Sequence, residues 1–568
     1  MVRLLGWTFL QYRPESVHDY AGVLVPLEEA HLHSHSARSG RTEFEERRNE
    51  EDDGADPLMQ GDDEADKDRE SGEGTGMLQM SAAEYTIEGL RREVRQGERG
   101  RVWSEYELKS KLINKAITDI GMGRYNWQLF VLCGFGWFAD NLWMQGVSLT
   151  LPSLSGEFGV PEKTVRYTTS ALFAGLCVGS FCWGLGSDIM GRRIAFNMTL
   201  LITAIFGIWA SYASSWGALC FLFACVGTGV GGNLPVDGAL FLEFLPDSSS
   251  ALLTLLSVWW PVGQLASSFV AWYYISHQPV ELGWRSFIFA IGIITFVMFF
   301  IRFFVFHLFE SPKYLLSQGR QAEAVAVTWL TEEVLDAVVD MEAVQRSAAR
   351  LSTKEVLKQN LAAFSGEHIR PLFSNRKLGL ATTLMWLCWA TIGMGYPLFN
   401  AFLPQYLSHG VSTNAETYRN YAIISTVGVP GSLLAAYTVD HPSPFLGRKG
   451  TLAISTLVSA VFLFFFVTFG TTPTAQLFLT CVEAFTQNIM YGVLYAFTPE
   501  MFPAPVRGAG TGVASFLNRV TGLVAPVLAA VLPGDGTVLP IYLSAALILG
   551  AFVCICFIPI ETRGRQRL

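Results

Sequence analysis

Gly184-Leu-Gly-Ser-Asp188-Ile-Met-Gly191-Arg192-Arg193 and, much later in the chain, Asp440-His-Pro-Ser-Pro-Phe-Leu-Gly447-Arg448-Lys449 are two copies of one pattern. Each sets an acid before a turn glycine and a pair of bases, and each separates two apolar stretches. Gly191 and Gly447 permit a tight reversal of the backbone, and the bases behind them are placed to meet acids from neighbouring helix ends. The same turn at matching places means an internal repeat.

Outward from these turns the chain is apolar. Of its 568 residues 51% are hydrophobic and only 16% are charged, whereas soluble domains carry about a quarter charged residues. A spanning helix needs roughly 20 mostly apolar residues. Such stretches recur near 127–151, 167–187, 194–212, 216–242, 250–275, 285–306, 378–404, 419–439, 450–470, 475–498, 508–532 and 538–560. The reading is an all-α polytopic membrane protein with 12 transmembrane helices in two six-helix pseudo-repeats.

Residues 1–120 read as a tail, mostly disordered because its polar, acidic composition buries too little surface to order it. Near 106–120 Leu108, Leu112, Ile113, Ala116 and Ile120 recur at helical spacing beside Lys109, Lys111 and Lys115. That predicts an amphipathic helix on the membrane surface or on the protein's own inner face, with a plain connecting helix as the alternative. The N-terminal six-helix bundle then runs over 121–307, a polar linker with short helices over 308–376, and the C-terminal bundle with a short tail over 377–568. Arg192, Arg193, Arg448, Lys449, Arg507, Arg563, Arg565 and Arg567 fall on the side shared by both termini and the linker, which the positive-inside rule makes cytoplasmic. The expected location is the plasma membrane or an internal membrane.

A net charge of −9 argues against nucleic-acid partners. All nine cysteines fall inside predicted helices, which leaves the loops without a disulfide framework or a zinc site. No nucleophile–base spacing appears either, so no enzyme and no cofactor is expected. The expected partners are the lipid bilayer, a small-molecule substrate and protons, with the chain acting as a monomer.

Over roughly residues 121–565 the chain resembles the major facilitator superfamily, whose signature loop the two turns match. Glu310-Ser-Pro-Lys-Tyr-Leu-Leu, Pro499-Glu-Met-Phe-Pro-Ala-Pro-Val-Arg507-Gly and Ile560-Glu-Thr-Arg-Gly narrow the resemblance to sugar porters and their relatives. Gly121-Met-Gly-Arg-Tyr-Asn-Trp-Gln-Leu-Phe and Gly231-Gly-Asn-Leu-Pro-Val-Asp are most similar to the synaptic-vesicle-transporter-like branch, fungal members above all. The resemblance implies a cytoplasmic gate, a charge network built from Gly184, Asp188, Gly191, Arg192, Arg193 and Glu243 in the first half and Asp440, Gly447, Arg448, Lys449, Glu500 and Arg507 in the second. It also aligns Asp140 with the helix-1 aspartate that proton-coupled sugar porters use.

Asp140 lies in the middle of its span, where a carboxylate costs at least a few kcal/mol and so reads as functional. Proton coupling or substrate contact is the expectation, and a bond to a neighbouring helix the alternative. Asn141, Gln145, Trp260, Gln264, Asn400, Gln487, Asn488 and Tyr491 are the candidate substrate-binding residues, with Trp143 a further wall group. Amides beside aromatics suit a hydroxylated solute, although amides in membranes also simply tie helices together. Many proton-coupled relatives carry an arginine in helix 4, where this chain has Phe223. On this reading the deeper acids are Asp140, Asp237 and Glu483 and the nearest base within a span is Arg302. A base-poor interior favours a protonatable carboxylate, a cationic substrate or a neutral one, and argues against a simple anion. The expected function is a secondary active transporter of a small organic solute (a sugar, polyol or organic cation), proton-coupled and working by alternating access. A nutrient sensor that does not transport, or an efflux carrier for a secondary metabolite, is the alternative.

Overall fold

The computed structural model describes residues 113, 114, 117 and 121–560, apart from 247–250, 307, 318–369, 374–375, 409–413, 440, 442–446, 503 and 533–537. The described residues form twelve long helical segments: α1 (Arg124–Phe158), α2 (Tyr167–Met190), α3 (Arg192–Ala210), α4 (Trp216–Phe244), α5 (Leu252–His277), α6 (Val280–Val305), α7 (Arg376–Leu407), α8 (Asn414–Val439), α9 (Arg448–Phe469), α10 (Pro473–Met501), α11 (Ala504–Val531) and α12 (Val538–Phe557). Ten of them are long and apolar enough to cross a membrane. Of the other two, α2 is 24 residues long, and α1, at 35 residues, has the length but sets Asp140, Asn141 and Gln145 among its apolar residues.

The repeat visible in the turns is also a repeat of packing. In the first half α2 lies on α4, α3 on α4, α3 on α6 and α1 on α5; in the second α8 lies on α10, α9 on α10, α9 on α12 and α7 on α11. The halves meet mainly where α5 packs on α8 and α2 on α11. Small residues set the closest approaches. A Cβ on Gly175 of α2 would run into the Ala224 carbonyl, and one on Gly227 of α4 into the Leu172 carbonyl. The small-xxx-small spacing of these glycines does serve helix packing, which in lipid depends on such close backbone contact.

Several spans are interrupted. α4 breaks between Val230 and Asn233, α5 between Leu256 and Trp259, and α7 between Asn400 and Leu403, while α6 finishes in a π-helical turn, Ile301–Val305. Breaks inside spans are tolerated where protein or a cavity, not lipid, faces the freed backbone. Of the segment expected to form an amphipathic helix, Ile113 and Ile117 are buried in the core beside Tyr125 and Phe244. Its remaining residues, the acidic tail, and most of the linker lie outside the described residues.

Candidate functional site

A cavity of about 30 Å³ sits between the two halves, with Asp140 of α1, Trp260 of α5, Tyr396 of α7, Tyr491 of α10 and Arg519 of α11 among its lining. That volume admits roughly one or two waters, so the two halves are closed around it. Three rings form one wall: Trp260 meets Tyr396 at 5.8 Å and Tyr491 at 5.0 Å, and the two tyrosines meet each other at 5.3 Å.

Asp140 is buried, with one carboxylate oxygen accepting from the Trp260 indole at 3.3 Å and the other left without a partner. From its neighbour Asn141 a string of side chains leads across the interface between the halves. Asn141 donates to the Trp260 carbonyl at 2.9 Å, Gln145 donates to the Asn141 amide oxygen at 3.3 Å and to the Tyr396 hydroxyl at 2.8 Å, and Tyr421 donates to Gln145. Gln264 receives a long bond of 3.5 Å from Asn141. In the second half Asn400 donates to Gln487 at 2.9 Å, and Asn488 donates to the Ala484 carbonyl one turn back. Of the residues read from the sequence as substrate contacts, Asp140, Trp260 and Tyr491 border the cavity. The six amides border other helices in this closed state, and Trp143 bonds to Thr295 inside the first half.

Arg519 corrects the sequence reading. It lies in the eleventh span and is only 6% exposed, yet it opens onto the cavity. Arg302 is therefore not the nearest base, and the case against an anionic solute loses its ground. Arg302 itself is spent on structure: its guanidinium pairs with Asp237 at 2.7 Å, donates to the Leu132 and Phe196 carbonyls, and covers the Phe196 ring. Asp237, grouped with Asp140 as a deep acid, is thereby a partner in a fully buried ion pair. Glu483 differs again. Neither of its oxygens has a hydrogen-bond partner, although Asn400 and Ser459 lie alongside.

The described parts of the two signature turns match at the glycine and the first base. Gly191 and Gly447 both have φ of 98°, which a side chain rarely adopts. Arg192 then pairs with Glu243 at 3.3 Å, and Arg448 donates to Glu500 at 2.9 Å. Each pair stays within its own half. The second base, Lys449, instead reaches the carbonyls of Cys556 and Ile558 at the C-terminal end of α12, where a cation meets the negative end of the helix dipole. Glu310 is an addition the sequence reading left out of the network: its carboxylate accepts the Arg192 amide at 2.9 Å at the start of α3, and the Glu310-Ser-Pro string was its signal. Gly184 lies within α2; Arg193 offers its backbone amide to Glu310. Asp440 and the side chains of Asp188 and Arg507 lie outside the described residues.

On the opposite face a different set of bonds joins the halves. Arg166, 1% exposed, donates to Gln405 at 3.2 Å and to the Ala529 carbonyl at 3.0 Å, and its guanidinium lies over the Phe402 ring at 4.9 Å. Tyr418 donates to the Leu149 carbonyl at 3.0 Å, and Ser148 donates to the Ala401 carbonyl. Sequence alone marks Arg166 as one loop charge among several; only the fold shows that it is enclosed by the other half.

Comparisons with known proteins agree with this architecture. A sequence model of the family described as sugar (and other) transporters matches residues 118–567. An "MFS siderochrome iron transporter 1" from Ceriporiopsis subvermispora is 43% identical over 498 residues, covering 83% of this chain and 94% of that protein. A "Synaptic vesicle 2-related protein" from Xenopus laevis is 28% identical, covering 80% of this chain and 82% of its own. Among solved structures, the inward-open xylose transporter XylE from E. coli superposes with a TM-score of 0.60 over 78% of this chain and 98% of that one, at 17% identity. The chain belongs to the sugar (and other) transporter family of the major facilitator superfamily. It is a multi-pass membrane protein that moves small solutes.

Proposed function

We propose that this chain is a proton-coupled secondary transporter that carries a small organic solute through the central cavity by alternating access. The carrying observation is Asp140: a buried carboxylate with one unpartnered oxygen, bordering a cavity between two pseudo-symmetric halves. A carboxylate there is costly unless it is protonated or faces a positive charge, which Arg519 across the cavity supplies when the site is empty. Asp140 takes the coupling proton from one side and releases it on the other, while the two halves rock about the cavity. The six amides exchange their present bonds to side chains and carbonyls for bonds to solute as the halves part. Sugars, polyols and organic cations are all compatible with those amides and with the Trp260, Tyr396 and Tyr491 wall. In this reading the signature turns face the cytoplasm with both termini, and the protein works as a monomer.

Purified protein in liposomes tests this. Uptake of a panel of sugars, polyols, organic cations and organic acids, measured with and without an inward proton gradient, should show stimulation of at least one class by the gradient. Uptake indifferent to the gradient across the panel would make the protein a facilitator and remove the coupling role.

A further inference from the structure

We propose that Arg519 binds a carboxylate group of the transported solute, so that the substrate is a small organic acid. The inference rests on the transport reading above and narrows its substrate. Burying a guanidinium is costly unless its donors are met, and this chain meets them elsewhere. Arg302 has Asp237 and two carbonyl groups; Arg166 has Gln405, a carbonyl and an aromatic face. Arg519 is also interior, though at 6% exposed less so than those two at 1%, yet among the described residues it makes neither hydrogen bond nor ion pair. Its donors, unmet by any described residue, are left open beside the cavity. A planar fork of N–H groups fits a carboxylate with two parallel bonds, while a sugar hydroxyl would leave its charge unbalanced.

Asp140 gives the arrangement its logic. It borders the same cavity from the first half while Arg519 borders it from the second, and the two form no ion pair with each other. When the site is empty their charges balance. When a proton sits on Asp140 and an organic anion on Arg519, the charges balance again. Either ligand alone leaves one net charge in a closed, low-dielectric cavity, where it is costly. Only the empty and the doubly loaded states are then favoured to cross, which is the condition for tight coupling of one proton to one monocarboxylate. The three rings beside Asp140 supply an apolar wall for the body of the acid.

The experiment measures binding to the purified full chain by quenching of tryptophan fluorescence and by thermal shift. The probes are acetate, benzoate and succinate, with benzamide and benzyl alcohol as neutral matches and benzylammonium as the cationic one. At least one acid should bind, and its neutral match should bind roughly tenfold or more weakly, as expected for loss of a charged hydrogen-bonded pair. Arg519→Gln should remove that preference, Arg519→Lys should keep part of it, and Asp140→Asn should bind the acid at least as tightly because the opposing charge has gone. Failure of every acid to bind, equal binding of benzoate and benzamide, or full acid binding by Arg519→Gln would overturn the assignment. Arg519-dependent acid binding without any transport in liposomes would instead leave the assignment standing and sink the transport reading.

Discussion

Arg192 and Arg448 occupy the same place in the two halves of the chain. Each opens a helix directly after a glycine whose φ is 98°, and each pairs with a glutamate near the end of the fourth helix of its own half. The pairs differ in exposure: the Arg192 and Glu243 side chains are 17% and 15% exposed, those of Arg448 and Glu500 6% each. Breaking a buried pair by removing one partner costs about 3–5 kcal/mol because the other charge is stranded. Arg448→Gln should therefore lower the melting temperature of the detergent-purified protein clearly more than Arg192→Gln, and adding Glu500→Gln should restore part of the loss. Equal effects of the two single substitutions would show that the halves do not carry their turns as described.

Gly175 has no room for a side chain against the Ala224 carbonyl. Gly175→Ala should force α2 from α4 and cost about 1–3 kcal/mol, the usual range for overpacking. Gly184→Ala, on the same helix with open space at its Cβ, is the control and should be close to neutral. Thermal unfolding of the two variants side by side checks the difference.

Arg166 joins the halves on the face opposite the signature turns. Arg166→Gln removes the bond to the Ala529 carbonyl and the contact with Phe402, and should shift the resting equilibrium toward opening on that face. A single cysteine in place of Ser148, in an otherwise cysteine-free background, reports the change: its labelling by a membrane-impermeant thiol reagent should speed up several-fold, roughly the effect of 1–2 kcal/mol. An unchanged labelling rate would mean that Arg166 does not hold this face shut.

The Glu310 carboxyl lies beyond the end of α6, and burial raises its pKa above the ordinary 4.5, opposed by the amides of Arg192, Ser311 and Arg193. A group with a raised folded-state pKa holds its proton more tightly folded than unfolded. Its contribution to stability is fullest below the ordinary value and declines as pH rises toward the raised one. The melting temperature of wild type relative to Glu310→Gln should fall as pH is raised above 4.5 and then level off. A constant difference would place Glu310 in contact with water.

What the sequence makes legible and what it hides divide along physical lines. The twelve spans follow from hydropathy, and the repeat from two glycine turns whose conformation few other residues can adopt. Asp140 stands out because a carboxylate in an apolar run is rare. Partners across helices are less readable. Gln145 bonds to Tyr396 and Tyr421 of the other half, a pairing set by the rotation of α1 against α7 and α8, which hydropathy does not encode. Arg519 is the one base within 508–532, but a single charge leaves the span apolar on average, and only the fold shows that it borders the cavity. Arg166 looks like an ordinary loop charge until the second half closes over it.

In the proposed mechanism Asp140 couples solute movement to protons. That coupling is tested most directly by comparing two assays of Asp140→Asn in liposomes: concentrative uptake driven by a proton gradient, and exchange of internal for external solute with no gradient. Gradient-driven accumulation should be abolished while exchange survives, since an uncharged amide imitates the protonated carboxyl and leaves the cavity intact. Gradient-driven accumulation by the variant at wild-type levels would contradict it, and would move the proton site away from Asp140.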